Sequence, residues 1–261
     1  MRIGADPEVF LLDATEGLVS AINRIGGSKD NPLPLPIGDG FAVQEDNVAV
    51  EYNIPASGSR EQLVNNIDRV MSHLSDRIAQ IGMHFATVSA AEFPMEQLMD
   101  PRALEFGCDP DFNAWRNGAI NPRPKSSSFA LRTCGGHVHV GHEFNSKAEK
   151  IEMVKFMDLF LGVPSQQMDQ GQLRKNLYGK GGACRFKEYG LEYRVLSNFW
   201  IFHPKLVGWV WDATSQAMDA WQNKKIDVNA ERDTILAAIN DNNSIAAQHL
   251  IAKYQLPMVH A

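Results

Sequence analysis

The chain has 261 residues, 44% of them hydrophobic and 21% charged, a composition that excludes low-complexity and fibrous classes and is long enough to bury a full core. Its formal net charge of -6 argues against a general polyanion-binding surface, so nucleic acid is not an expected partner. No stretch approaches the roughly 20 apolar residues that cross a bilayer, and Asp6 and Glu8 stand where a signal peptide would need an apolar run. A cytoplasmic protein with no membrane partner is the expectation. Its three cysteines, Cys108, Cys134 and Cys184, form no CxxC pair and read as free thiols.

Ile3 to Leu12 is a mostly apolar run interrupted by Asp6, Pro7 and Glu8, and it reads as a strand. Leu18 to Ile25 is a candidate second strand, followed by a Gly- and Pro-rich loop from Gly26 to Gly40. Phe41 to Ile54 predicts one strand, with Val48 and Val50 alternating against polar neighbours. Ser59 and Gln62 form a capping box, and Leu63, Ile67, Val70, Leu74, Ile78 and Ile81 recur at helical spacing up to Gly82. Asp100 to Ser128 carries four prolines and reads as loop. The strand around Gly135 to Gly141 comes next, then a helix opened by Ser146 and Glu149 and running through Leu161. A Gly-rich loop, Tyr178 to Ala183, precedes a strand near Leu191 to Ser197, and three helices fill His203 to about Tyr254.

No internal repeat and no long linker divides the chain, so residues 1–261 are expected to form a single domain with a helical C-terminal part from about 203. Interleaved strands and helices with helices closing the chain predict an α+β class built on a mainly antiparallel sheet.

Polar residues sit inside these strands. Residues two apart on a strand share a face, which pairs Asp6 with Glu8, His137 with His139 and Glu192 with Arg194. The same rule groups Glu45, Asn47, Glu51 and Asn53. Each pair alone reads more readily as the wet face of a one-sided sheet. Together they are carboxylates and imidazoles, the donors that divalent metals take. The glycines flanking His137 and His139 leave room for a ligand or another backbone. Arg174, Lys180 and Arg185 surround the Gly-rich loop, which offers cations and backbone N–H groups suited to phosphate, yet it matches neither GxxxxGK[ST] nor GxGxxG. A flexible surface turn is the plainer reading of that loop.

Five segments carry a resemblance: Gly-Ala-Asp-Pro-Glu-Val-Phe, Val-Glu-Tyr-Asn-Ile-Pro-Ala, Gly-Cys-Asp-Pro-Asp-Phe-Asn-Ala-Trp, Gly-Gly-His-Val-His-Val-Gly and Tyr-Gly-Leu-Glu-Tyr-Arg. In this order they resemble the phage-encoded carboxylate–amine ligases (amidoligases) of the glutamine synthetase and glutamate–cysteine ligase superfamily, from about residue 3 to about residue 200. The resemblance implies a curved antiparallel sheet with helices packed on its outer face and ATP with Mg2+ as cofactors. It also implies an acyl-phosphate route to an amide bond between small-molecule or peptide carboxylate and amine substrates, in a host cytoplasm if the chain is phage-encoded. It assigns metal to Asp6, Glu8, Glu51, Glu45 and Glu192, metal or phosphate to His137, and phosphate to Arg174, Arg185 and Arg194, with Arg194 and Arg185 acting in catalysis; Lys180 joins the phosphate set from the reading of the Gly-rich loop. Asp6 departs from the usual Glu-x-Glu, and the compact chain leaves the substrates and the oligomeric state open.

Other readings stand beside this one. A zinc hydrolase would use His137, His139 and an acid, and a third reading is a catalytically inactive binding protein. Cys108 reads better as a packed thiol than as a nucleophile. Asp109 and Asp111 shape either an acceptor pocket or an Asx-type turn, and Trp115 and Arg116 either line a cleft or anchor the long loop. His142, His203 and His249 carry no expected role, and Trp200, Trp209, Trp211 and Trp221 read as core.

Overall fold

A computed structural model describes residues 1–104, 111–122 and 128–259. The first apolar run does not form one strand. Pro7 has no N–H to give to a ladder, and the run divides there into β1 (Arg2–Ala5) and β2 (Glu8–Asp13), which enter different sheets. Short strands β3 (Leu18–Val19) and β4 (Leu33–Pro34) follow, so the second candidate strand shrinks to two residues. The stretch expected as one strand is a hairpin, β5 (Ala42–Asp46) and β6 (Ala49–Asn53), turning at Asn47 with φ 54°. Asparagine tolerates that left-handed conformation better than most residues.

Helix α1 (Arg60–Ala79) starts where the capping box predicts: the Gln62 N–H donates to Ser59 Oγ, while the Gly58 N–H donates to the Gln62 side chain. Leu63, Ile67, Val70, Leu74 and Ile78 are buried, but Ile81 lies past the helix end and is exposed. Strands then appear that the sequence reading lacked or placed in loop, among them β7 (Met83–Ala86), β8 (Ala90–Glu92) and β9 (Phe112–Asn113). β10 (Ala119–Ile120), β11 (Leu131–Thr133) and β12 (Val138–Gly141) come next. After α2 (Lys147–Met157) the helix continues through a π-helical turn, Asp158–Gly162, into α3 (Val163–Met168), beyond the predicted end at Leu161. β13 (Ala183–Lys187) and β14 (Gly190–Tyr193) form a hairpin, and α4 (Pro204–Gln222), α5 (Arg232–Asn240) and α6 (Ser244–Tyr254) match the three expected C-terminal helices.

The class is α+β, and every strand pairing described is antiparallel. The sheet is split, however. One six-stranded sheet has the order β1-β12-β14-β13-β9-β10; a second runs β3-β2-β6-β5-β4 with β7 also on β2, and β8 pairs with β11 in a small two-stranded sheet. Val138, Val140, Leu191 and Tyr193 turn to one side of the first sheet and join a core with Leu63, Ile67, Val210 and Ala213 of α1 and α4. The polar residues between them face the other way. A smaller core, containing Phe10, Ala49, Ala86 and Phe93, lies against the second sheet. Trp200 and Trp209 are buried as expected, and Trp211 and Trp221 pack half-buried against the main core. Among the described residues no helix is long and apolar enough to cross a membrane.

Candidate active site

The split at Pro7 creates the site. Asp6 stands at the crossing from one sheet to the other, so acids of the second sheet meet histidines of the first. In the first sheet, register aligns Gly4 with His139, His139 with Glu192, and Glu192 with Arg185. Directly opposed residues share a face. Asp6 Oδ1 lies 3.2 Å from His137 Nδ1 and 3.1 Å from His139 Nε2. Ligand atoms of Asp6, His139 and Glu192 all fall within 4.8 Å of one another.

In the second sheet Glu8 is directly opposite Glu51, and Glu51 opposite Gln44, whose side-chain amide donates to it at 2.9 Å. Glu45 is not on that face. Its register partner is Val50; its carboxylate accepts from the Ile25 and Gly26 N–H groups and pairs with Arg102 at 3.2 Å. The two-residue turn at Asn47-Val48 is the physical reason. It pairs odd positions of β5 with even positions of β6, so counting by twos through the turn selects the wrong acid. Asp46 occupies the face expected for Glu45, hydrogen-bonded to Glu51.

Cations ring these acids. Arg194 donates to Glu192 Oε1, and its Nε lies 3.3 Å from Asp111. Lys187 Nζ is 3.1 Å and Arg185 3.5 Å from Glu192. Arg174 is buried and donates to the Val195 and Arg194 carbonyls at 3.0 and 3.3 Å. Lys180 is exposed and enters none of these ion pairs among the described residues. Tyr189 stacks on His139, its hydroxyl 3.0 Å from Nδ1. Asp46, Lys187 and Tyr189 escaped the sequence reading. The Asn47 turn signal would have exposed the first, and the Arg185–Lys187 spacing the second.

Crowding sorts the protonation states. Burial, with Asp46 acting the same way, pushes Glu8 up to about 8 against the Gly135 N–H donor. Burial and then Asp6, Asp46 and Glu8 push Glu51 well above the usual carboxylate range. For Asp6 burial acts upward, but His139 and His137 outweigh it and hold the carboxylate well below its usual range. Glu192 falls to about 2 despite burial and Asp6, because Arg194, His137 and Arg185 surround it. Burial and Arg194 lower His137 to about 4, so its ring is neutral at pH 7. Nδ1 of His137 then lies between a donor, Arg194 at 3.3 Å, and an acceptor, Asp6.

Two loop expectations change. The room beside the histidines is taken by backbone: a Cβ on Gly136 would lie 2.4 Å from the Ser197 carbonyl and 2.5 Å from Trp200 Nε1. Gly136→Ala is therefore expected to destabilise the fold by about 1–3 kcal/mol, as overpacking does, read from the midpoint of denaturant unfolding. The Gly-rich loop has committed its donors inward, with the Gly181 N–H on Asn240, the Gly182 N–H on Asp158 and the Ala183 N–H on the Lys180 carbonyl. Its last three amides do not form a phosphate cradle.

Trp115 is a loop anchor: it is nearly buried and donates to Asp158, while Arg116 is exposed. Cys134 and Cys184 are free and buried; Cys108 and Asp109 lie outside the described residues.

In a comparison with protein families, residues 114–230 fit the model described as phage phiEco32-like COOH-NH2 ligase, type 2. No curated protein matches the chain. The matched stretch contains His137, His139, Arg174, Lys180, Arg185, Glu192 and Arg194, and the pairing of β1 with β12 brings Asp6 to them.

Proposed function

We propose, from the match of residues 114–230 to a carboxylate–amine ligase family model, that this protein joins a carboxylate to an amine with ATP and magnesium. The observation that carries this reading is the convergence of Asp6, His139 and Glu192 within 4.8 Å, beside Glu8, Asp46 and Glu51. Like charges directly opposed across strands are unfavourable, the more so when buried. A donor set of oxygens with an imidazole nitrogen suits a divalent cation that would relieve this repulsion. The fit is good. Magnesium bound there would neutralise the phosphates of ATP.

The chain's own groups supply the rest. In the proposed reaction a substrate carboxylate oxygen attacks the γ-phosphorus and ADP leaves; the amine then attacks the acyl carbon and phosphate leaves, taking up the proton that the amine nitrogen gives up. Arg194, anchored by Glu192 and Asp111 with Arg185 and Lys187 beside it, would bear on oxygens of the phosphoryl group. Neutral His137 holds Asp6 from the far side, which fixes one donor of the metal set.

ATP hydrolysed to ADP only when magnesium, a carboxylate and an amine are present, measured across a panel of small and peptide substrates, is the expected result. Absence of ATP binding by calorimetry, with and without magnesium, refutes the reading. Tight stoichiometric zinc in its place would favour a hydrolase. His137→Ala is expected to fold, by circular dichroism, and to lose most of its turnover; activity equal to wild type would remove His137 from the site.

A further inference from the structure

Asp158 belongs to none of the motifs above. It is fully buried in the π-helical turn between α2 and α3, on the side of the first sheet away from the acids. Its Oδ2 accepts from Trp115 Nε1 at 2.6 Å and its Oδ1 from the Tyr193 hydroxyl at 2.8 Å, and the Gly182 N–H also donates to it. These donors come from three places: the turn Ala114–Arg116, strand β14 and the Gly-rich loop. Burial raises Asp158 to about 7, and above that pH its carboxylate accepts on every side, which neither an amide nor an apolar residue can do. Helical π-turns cost regularity and recur at functional sites.

The surrounding contacts tighten the same junction. The Ala114 N–H donates to the Gly182 carbonyl at 2.9 Å, and Asn113 Nδ2 to the Gly181 carbonyl at 3.2 Å. Gly182 has φ +83°, and a Cβ there would meet Trp115 at 2.7 Å and Asn113 Oδ1 at 2.8 Å. The loop thus leads rigidly into β13, which carries Arg185 and Lys187. Tyr193 sits between Glu192 and Arg194 in sequence and points to the opposite face.

We propose that Asp158 is a positioning residue: from behind the sheet it ties the Gly181–Gly182 loop to β14 and so fixes Arg185, Glu192 and Arg194 relative to one another. Its effect on turnover rests on the ligase reading; the tether itself does not. The test is Asp158→Asn, which keeps the volume but turns an N–H pair toward groups that themselves donate. Loss of a hydrogen bond to a charged group corresponds to about tenfold or more. Amide hydrogen exchange should therefore quicken about tenfold or more at Gly181, Gly182 and residues 191–194, and little in α1 and α6. With ATP, kcat should fall about tenfold while KM for ATP stays within about twofold, because misplaced cations act on the transition state. Tyr193→Phe, which deletes one donor and keeps the ring, should give a smaller increase over the same residues. That second variant carries the test if Asp158→Asn does not fold. Exchange unchanged at the loop, or raised equally throughout the chain, overturns the proposal. Absence of ATP turnover in the wild type would remove the ligase reading and leave the exchange experiment to decide the tether.

Discussion

Arg194→Lys is expected to lower turnover by about 10²–10³, the typical loss for one well-placed charge-stabilising donor. Folding and ATP binding should survive. The guanidinium reaches Glu192, Asp111 and His137 at once, contacts on three sides that a single ammonium cannot reproduce. Lysine at this position keeps the positive charge, so Glu192 stays ionised and the fold is not left with a buried unpaired acid. The loss should fall on kcat, since in the proposed reaction charge on the transferring phosphoryl group develops in the transition state. Steady-state kinetics with calorimetric ATP affinity reads both quantities. Near wild-type kcat would mean that Arg194 is only the partner of Glu192. An ion pair of that kind, this far out of solvent, would show in stability instead.

Magnesium alone should stabilise the protein, and by more as pH rises. Glu8 keeps its proton in the folded state up to about 8, whereas in the unfolded chain it loses it near 4.5. Glu51 is shifted in the same direction. A raised folded pKa gives a contribution that is fully present below the unfolded value and lost as pH rises through the folded one. Without divalent cations, stability is expected to decline between about pH 4.5 and about pH 8, by an amount on the order of a few kcal/mol. Magnesium takes the ionised carboxylates and competes with their protons, so the rise in Tm that it causes should grow across that range. Asp158, raised by burial to about 7, adds to the decline in the same direction, but it lies on the other side of the sheet and magnesium should not touch its share. Thermal unfolding with and without magnesium at each pH separates the two. Glu51→Gln should shrink the magnesium-dependent part. A Tm indifferent to magnesium near pH 9 would exclude a cation site among these acids.

The sequence by itself determined the helices and the polar faces. Ser59 with Gln62 and Ser146 with Glu149 fixed where α1 and α2 begin, because capping is settled within one turn of chain. The pairing of His137 with His139 and of Glu192 with Arg194 followed from the two-residue period of a strand, and both pairs arrive at one cluster with Asp6. That period holds only while the strand continues. It failed at Asn47, where a hairpin turn reversed the parity and put Asp46 in the place assigned to Glu45. Tertiary structure decided the rest. Pro7 sends β1 and β2 into different sheets, and only that division sets Glu8 and Glu51 beside the histidines. The inward use of the Gly-rich loop was equally invisible, since its partners Asn240 and Asp158 are distant in the chain or lie in another helix. Local hydrogen bonds and periodicity are written in neighbouring residues; which strands meet, and what a buried carboxylate faces, depends on how the chain closes on itself.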